Sequence, residues 1–163
     1  MTNSVKKLCS GFVLALSLCF AAPALPALAE DAPSYAEQAE RILNEGFKQA
    51  YESDTYRTPT ELTEILDKSF KKLDALLNKT WKETRSYLKN ADPALFEQLL
   101  ADQRAWLKFA EGFSTAVYTG FGSGGSMYRS MGMDAKMSLW AQRIKYLDTV
   151  LGYVSEVHGA PEK

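Results

Sequence analysis

Along most of the chain after residue 33, apolar residues return every three or four positions, which is the period of an amphipathic helix. This pattern predicts four helices. The first covers about residues 34–51. The second begins at the sequence TPTE, where Thr58 is the expected N-cap, Pro59 occupies the first helical position and Glu61 closes a capping box.

The third helix begins after Asp92, its expected N-cap, and Asp134 is the expected N-cap of the fourth. No alternating strand pattern, internal repeat or linker is visible in the sequence. The predicted fold is therefore all-α, a compact antiparallel bundle of three to four helices. The first helix has the weakest apolar stripe and is expected to lie apart from the others. The apolar face of the third helix is predicted to consist of Leu95, Leu99, Trp106, Ala110, Phe113 and Val117.

The first 29 residues have the features of a secretory signal peptide. Lys6 and Lys7 precede the apolar run LCSGFVLALSLCFAA, which ends near the small residues 27–29. Cleavage is predicted after Ala29, which leaves residues 30–163 as a single helical domain. An uncleaved anchor helix is the alternative, although the run is short and two prolines interrupt it. The protein is thus expected to be exported, periplasmic or secreted, without stable membrane insertion.

Cleavage would change the composition of the chain. Residues 1–29 contain two lysines and both cysteines, so 17 basic and 20 acidic residues remain, a net charge of about −3, with no cysteine. Such a charge excludes a strongly basic surface and argues against nucleic acid as a partner. Without disulfides, the domain depends on its apolar core for stability.

Residue types that support catalysis are scarce. The single histidine, His158, precedes a glycine near the end of the chain. With no cysteine after Ala29, zinc sites, Cys–His pairs and Ser–His triads lack their parts. The sequence predicts a protein that is not an enzyme and needs no cofactor.

The methionines after the first residue lie within eleven positions, as Met127, Met131, Met133 and Met137. Thioethers bind Cu(I), and a spacing of four residues places two of them on one helix face. The alternative is that Met133 and Met137 continue the core stripe of the fourth helix, while the other two pack beneath a loop.

The stretch GFGSGGSMYRSMGM, residues 120–133, interrupts the helical pattern with five glycines. Two helices can be joined by about 2–8 residues, and each glycine disfavours helix by about 1 kcal/mol relative to alanine. The stretch is either a plain connector or a loop, residues 120–129, that projects from the end of the bundle. The candidate contact residues of such a loop are Tyr118, Phe121, Ser123, Ser126, Tyr128 and Arg129.

From about residue 60 to residue 147 the chain resembles the LprI-like lysozyme-inhibitor family of small exported helical domains. The resemblance is carried by LADQRAWLKFAE, by GSGGSM and by an Arg-x-x-x-Leu spacing in the last helix. It divides the domain into an N-terminal helix, residues 30–57, and a family-like core, residues 58–157. The family's Arg-Asp pair and its cysteines are missing, which indicates a divergent member. The residues that match the family pattern are Gln103, Arg104, Trp106, Gly124, Gly125, Ser126 and Arg143.

The helical pattern gives four of these residues expected roles. Trp106 is expected in the core, and Arg143 is expected to form a salt bridge. Gln103 and Arg104 are expected to hydrogen-bond across the bundle or to a partner.

The resemblance implies an exported binding protein that inhibits a lysozyme and so protects the cell wall. Lysozyme uses two carboxyl groups that flank the scissile bond. Hydroxyls of Ser123 or Ser126, or the Arg129 guanidinium, could donate hydrogen bonds to those carboxyls from a projecting loop. Two alternatives remain: an assembly factor of the cell envelope, and a protein that handles Cu(I) through its methionines.

Overall fold

The computed structural model describes residues 32–52, 57–120 and 125–159, which belong to one compact unit, Ala32–Lys163. They form four helices, α1 (Tyr35–Tyr51), α2 (Pro59–Ala91), α3 (Pro93–Gly120) and α4 (Ser126–His158). No strand occurs within these ranges. The predicted all-α bundle is therefore confirmed, whereas the predicted signal peptide lies outside the described residues.

The helix starts follow the capping chemistry of the sequence. The Thr58 side chain accepts a hydrogen bond from the Glu61 amide, and the Glu61 carboxylate accepts from the Thr58 amide, which completes the predicted capping box before Pro59. Asp92 accepts a hydrogen bond from the Leu95 amide at 3.0 Å and so caps α3 as predicted.

Helices α2 and α4 form the centre of the bundle and share its most extensive contact. They run parallel to each other, because the connections α2–α3 and α3–α4 each reverse the chain. The apolar side chains of these two helices with at most 1% exposure are Leu66, Leu73, Leu88, Met137, Ile144 and Leu147. Burial of each such side chain stabilises the fold by about 1.5–3 kcal/mol, which makes this pair the main source of stability.

Helix α1 packs on both α2 and α4, so the prediction that it lies apart from the bundle was wrong. Its fully buried positions are the small residues Ala39, Gly46 and Ala50, and larger side chains beside them pack against the core, namely Tyr35, Ile42, Leu43 and Phe47. A Cβ atom on Gly46 would lie 2.7 Å from Ser69 Oγ. The most buried positions of α1 carry little apolar surface because its backbone approaches α2 closely, which is why the stripe was judged weak in the sequence.

Helix α3 covers the opposite side of the α2–α4 pair and does not contact α1. Trp106 packs against the core as predicted, and its ring lies 5.0 Å from that of the buried Trp140. Phe113, in contrast, was wrongly predicted to face the core: it is 42% exposed and its ring stacks on Phe109. The buried positions of α3 are Leu99, Gln103 and Ala110, which leaves Phe113 at the edge of the contact.

Candidate functional site at the tip of α3 and α4

The end of the bundle that contains the glycine-rich stretch is made by residues 112–120 of α3 and 125–133 of α4, here called the tip. Helix α3 continues to Gly120 and α4 already begins at Ser126. The connection is therefore five residues long, 121–125. The predicted loop over residues 120–129 was too long, because its last four residues belong to α4. Tyr128 and Arg129 lie in the first turn of α4.

Asp134, predicted as the N-cap of the fourth helix, lies inside α4 instead. The sequence interpretation treated Gly132 as a helix breaker, but Gly132 is buried where α3 and α4 approach each other. A Cβ there would lie 3.4 Å from Tyr118 Cβ and 3.5 Å from the Ser114 carbonyl oxygen. Gly132 allows α3 and α4 to pack closely because it has no side chain, and α4 continues through this position.

The predicted contact residues divide into three groups. Phe121 and Ser123 lie outside the described residues, as does the family-pattern residue Gly124. Ser126 is the first residue of α4, and the family-pattern residue Gly125 is its N-cap. Tyr118, Tyr128 and Arg129 occupy the last turn of α3 and the first turn of α4, and Tyr118 is 36% exposed.

The structure brings Tyr118 and Arg129 together at a cleft of about 400 Å³. Its other wall is the start of α2, a segment more than fifty positions away in the sequence. The helical pattern carries no signal for this contact, and sequence reasoning missed it. The cleft is lined by Pro59, Thr60, Thr63, Glu64, Tyr118, Gly125 and Arg129.

The tip is almost free of charge. None of residues 112–128 is charged, and Arg129 is the first cation after this stretch. The Gly125 N-cap offers α4 no side-chain hydrogen bond, so the first amides of the helix have no side-chain acceptor from their own cap. Arg129 is exposed, and together these donors favour an acceptor such as a carboxylate.

The four methionines do not form one cluster. Met137 is fully buried and Met133 packs against the core, as the core alternative predicted. Met127 is 66% exposed and Met131 is 41% exposed, so the expectation that both pack beneath a loop was wrong. Because two of the four thioethers belong to the core, only the exposed pair could meet a ligand at the surface, which does not favour a Cu(I) site.

A second group of family-pattern residues lies along the α3–α4 contact. The buried Arg143 donates from Nε to Gln103 Oε1 at 2.7 Å and from Nη2 to Asp102 Oδ2 at 2.6 Å. Its guanidinium also lies 5.4 Å from the Trp106 ring and 4.7 Å from the Tyr146 ring. The predicted salt bridge of Arg143 and the cross-bundle hydrogen bond of Gln103 are thereby confirmed.

These residues, here called the arginine cluster (Asp102, Gln103, Trp106, Arg143 and Tyr146), have a structural role. The cluster binds α3 to α4 below the tip and uses three of the family-pattern residues. Arg104, for which the same hydrogen bond across the bundle or to a partner was expected, lies outside this cluster and is exposed. Sequence reasoning assigned Arg143 correctly but missed Asp102 and Tyr146, which complete its environment.

Burial perturbs one carboxyl group near the tip. Desolvation raises the pKa of Asp134, and the hydrogen bond that it accepts from the Tyr51 hydroxyl at 2.6 Å opposes this effect. The other oxygen of the same carboxyl, Oδ1, is buried without a hydrogen-bond partner. Burial, followed by the same hydrogen bond, raises the pKa of Tyr51. The hydrogen bond between Tyr51 and Asp134 connects the end of α1 to α4.

The described residues contain no group of three or more His, Cys, Asp or Glu side chains placed to hold a metal ion. His158 is the last residue of α4 and is exposed. Within the described ranges, none of the helices has the length and apolar character needed to cross a membrane.

Comparison with known proteins identifies one family. The family described as lysozyme inhibitor LprI matches residues 51–147, a range that contains α2, α3 and most of α4 and includes the whole tip. No curated protein matches the chain, and no solved structure matches it.

Proposed function

The chain belongs to the lysozyme inhibitor LprI family, and from this we propose that it is an exported, non-enzymatic protein that binds a lysozyme and blocks its action on peptidoglycan. The family match over residues 51–147 is the observation that carries the proposal. The proposal assigns no catalytic step and no cofactor to the chain.

We further propose that the tip is the inhibitory surface. Two helices, α3 and α4, end and begin there, separated by residues 121–125, and in this proposal their exposed ends contact the rim of the substrate cleft. Met127 and Tyr118 expose apolar surface, 66% and 36% of each residue. Such side chains can exclude water around a polar contact and anchor it.

Arg129 supplies the polar contact in this proposal. Lysozyme cleaves with two carboxyl groups on either side of the scissile bond, and at least one is ionised. A guanidinium can donate two parallel hydrogen bonds to a carboxylate. No charged residue lies between positions 112 and 128 along the chain, although Glu64 of α2 lines the same cleft as Arg129. Of the groups proposed from the sequence, Arg129 is thus the best supported by its position.

The proposal is tested with the purified exported protein in a peptidoglycan lysis assay against several lysozyme types. Inhibition of at least one type is expected. Because the tip is proposed to enter the substrate cleft, an oligosaccharide of N-acetylglucosamine should compete with the protein for lysozyme. Inhibition that saturating oligosaccharide leaves unchanged would contradict the tip mechanism while leaving the function intact. Failure to inhibit or bind any lysozyme would favour an envelope assembly role.

A further inference from the structure

The outer face of α2 is strongly basic. Residues 68–90 contain seven basic and two acidic residues, whereas the rest of the chain after residue 29 contains ten basic and eighteen acidic residues. The net charge of about −3 was expected to exclude a strongly basic surface. This expectation was wrong, because charges of the two signs are segregated along the chain. The exposed cations of this face, here called the basic stripe, are Lys68, Lys71, Lys72, Lys79, Lys82, Arg85 and Lys89.

Helical spacing places the basic stripe on the solvent side of α2. Lys68, Lys72, Lys79 and Lys82 follow each other at separations of 4, 7 and 3 positions, which return to one helix face. The buried positions of α2 between Leu66 and Leu88 lie on the opposite face. At about 1.5 Å per residue, the stripe from Lys68 to Lys89 extends over about 32 Å. It is therefore a long row of cations that is one helix face wide.

The acidic residues beside the stripe already have partners within the fold. The Asp67 carboxylate lies 2.6 Å from Lys71 Nζ. Asp74 accepts a hydrogen bond from the indole nitrogen of Trp140 at 3.0 Å, and Glu83 accepts one from a tyrosine hydroxyl of α1. The cations of the stripe that form no salt bridge with any described residue are Lys68, Lys72, Lys79, Lys82, Arg85 and Lys89.

The basic stripe contains no exposed apolar surface that could add to its charge. None of the large apolar side chains that are exposed in the described ranges lies on α2. The exposed positions between the cations are Ala75, Asn78 and Ser86, which are small or polar. Single-stranded nucleic acids are bound by aromatic rings on which the bases stack, and a helix that lies in a membrane interface inserts an apolar face. The stripe supports neither contact and offers charge alone.

We propose that the basic stripe binds a linear polymer of phosphate groups that carries no bases. A row of cations attracts such a polyanion and releases the counterions condensed on it. The cell envelope is the place where an exported protein meets such a polymer, so the choice of source rests on the proposed export. The binding itself does not depend on lysozyme inhibition.

The shape of the stripe favours a flexible chain over a flat bilayer. Glu61 and Glu64 are exposed and lie seven and four positions before Lys68, on the same helix face. A bilayer that lay against α2 would bring its anionic headgroups to these carboxylates as well as to the cations. A flexible polymer can follow the row of cations and leave α2 before it reaches Glu64.

A polymer bound in this way leaves the tip open. Glu64 is the last residue of α2 that lines the cleft at the tip, and the stripe begins four positions later and continues away from the tip. The stripe would therefore hold the protein in the envelope while the tip remains available to a second partner.

Fluorescence anisotropy with labelled long-chain inorganic polyphosphate tests the proposal, with titrations of the exported protein repeated at several salt concentrations. Two triple variants each replace three exposed lysines by glutamine, so they change the net charge equally. The stripe variant combines Lys68→Gln, Lys72→Gln and Lys82→Gln. The control variant, with one substitution each in α1, α3 and α4, combines Lys48→Gln, Lys108→Gln and Lys145→Gln.

The stripe variant should bind polyphosphate at least about tenfold more weakly than the wild type. Its plot of log affinity against log salt concentration should be shallower by about two, because about three phosphate contacts are lost. The control variant should stay within about twofold of the wild type. Both variants should keep the wild-type melting temperature, since all the replaced side chains are exposed. A wild type that does not bind polyphosphate at low salt, or equal weakening in both variants, would overturn the proposal.

Two further titrations distinguish the polymer from other anionic partners, using single-stranded DNA and vesicles of phosphatidylglycerol at the same total phosphate concentration. Polyphosphate should bind at least as tightly as either of them. Tighter binding to DNA would overturn the proposal in favour of a nucleic acid, and tighter binding to vesicles would overturn it in favour of a membrane surface. None of these measurements contains lysozyme, so this proposal and the proposed inhibition can fail separately.

Discussion

At the scale of single residues, glycines that look alike in the sequence have different surroundings. Gly46 and Gly132 lie at helix–helix contacts where an added Cβ would meet another helix, whereas Gly152 has open space around it. Close helix packing therefore explains the glycines at positions 46 and 132, but not the one at position 152. The sequence pattern cannot separate these cases, because a helix contact is made with residues distant in the chain.

Gly46→Ala should destabilise the protein by about 1–3 kcal/mol, because the new Cβ would lie 2.7 Å from Ser69 Oγ and 2.8 Å from Ser69 Cβ. Gly152→Ala is the control, since it removes a helix-interior glycine in open space and should stabilise by about 0.5–1 kcal/mol. Urea denaturation measures both. Equal effects of the two substitutions would show that α1 does not pack closely on α2.

The buried carboxyl of Asp134 predicts a pH dependence of stability. Its pKa is raised in the folded state by burial, so the fold favours the protonated form. The contribution of this group to stability is therefore fully present below its unfolded pKa and is lost as pH rises through the folded pKa. Asp134→Asn, whose amide oxygen still accepts from Tyr51, should melt at a higher temperature than the wild type at neutral pH.

This advantage should shrink as pH falls, because the wild-type carboxyl then becomes neutral too. Thermal melts of both proteins from acid to neutral pH measure the difference, with Glu111→Gln as a control for loss of an exposed carboxylate. A difference that stays constant over the whole pH range would mean that Asp134 is not perturbed by burial.

At the scale of helices, the sequence was most informative where local chemistry decides the structure. The starts of α2 and α3 follow from Thr58, Pro59, Glu61 and Asp92, which act on backbone groups within one turn. The place of α1 and the start of α4 were missed for one reason. In both cases a glycine permits close packing, and its partner helix is not visible in the local pattern.

The sequence predicted less of the candidate site than of the helices. The break near residue 120 located the tip, and the salt bridge of Arg143 was expected. The cleft between Tyr118, Arg129 and the start of α2 was not, because it depends on how three helix ends meet. The exposed Phe113 was misplaced because a single helical stripe does not show how much of its width the neighbouring helices cover.

The arginine cluster should make a measurable contribution to the α3–α4 contact. Arg143→Lys keeps the charge but loses the planar fork that bonds Asp102 and Gln103 and contacts two rings. We expect a loss of about 1–3 kcal/mol, below the range for fully buried pairs because Asp102 is half-exposed. Urea denaturation checks this value. Arg104→Lys, at an exposed position, should change stability by less than about 0.5 kcal/mol.

At the scale of the whole molecule, the buried core and the proposed inhibitory surface lie in different parts of the bundle. The α2–α4 pair supplies most of the buried apolar core, and α1 and α3 cover its two sides. The tip contains few of the buried residues and a cleft with one exposed cation. Substitutions at the tip should therefore change binding without unfolding the protein, which makes the functional proposal testable by mutation.

The most direct test of the account compares two matched double variants in the lysozyme inhibition assay. Met127→Ala with Arg129→Ala removes an exposed apolar residue and an exposed arginine from the tip. Leu107→Ala with Arg104→Ala removes the same two kinds of residue from the body of α3. If the tip enters the lysozyme cleft, the first variant should raise the inhibition constant about tenfold or more, with an unchanged melting temperature, and the second should leave it near the wild-type value. Equal inhibition by both variants, or a larger loss in the second, would contradict the tip as the inhibitory surface.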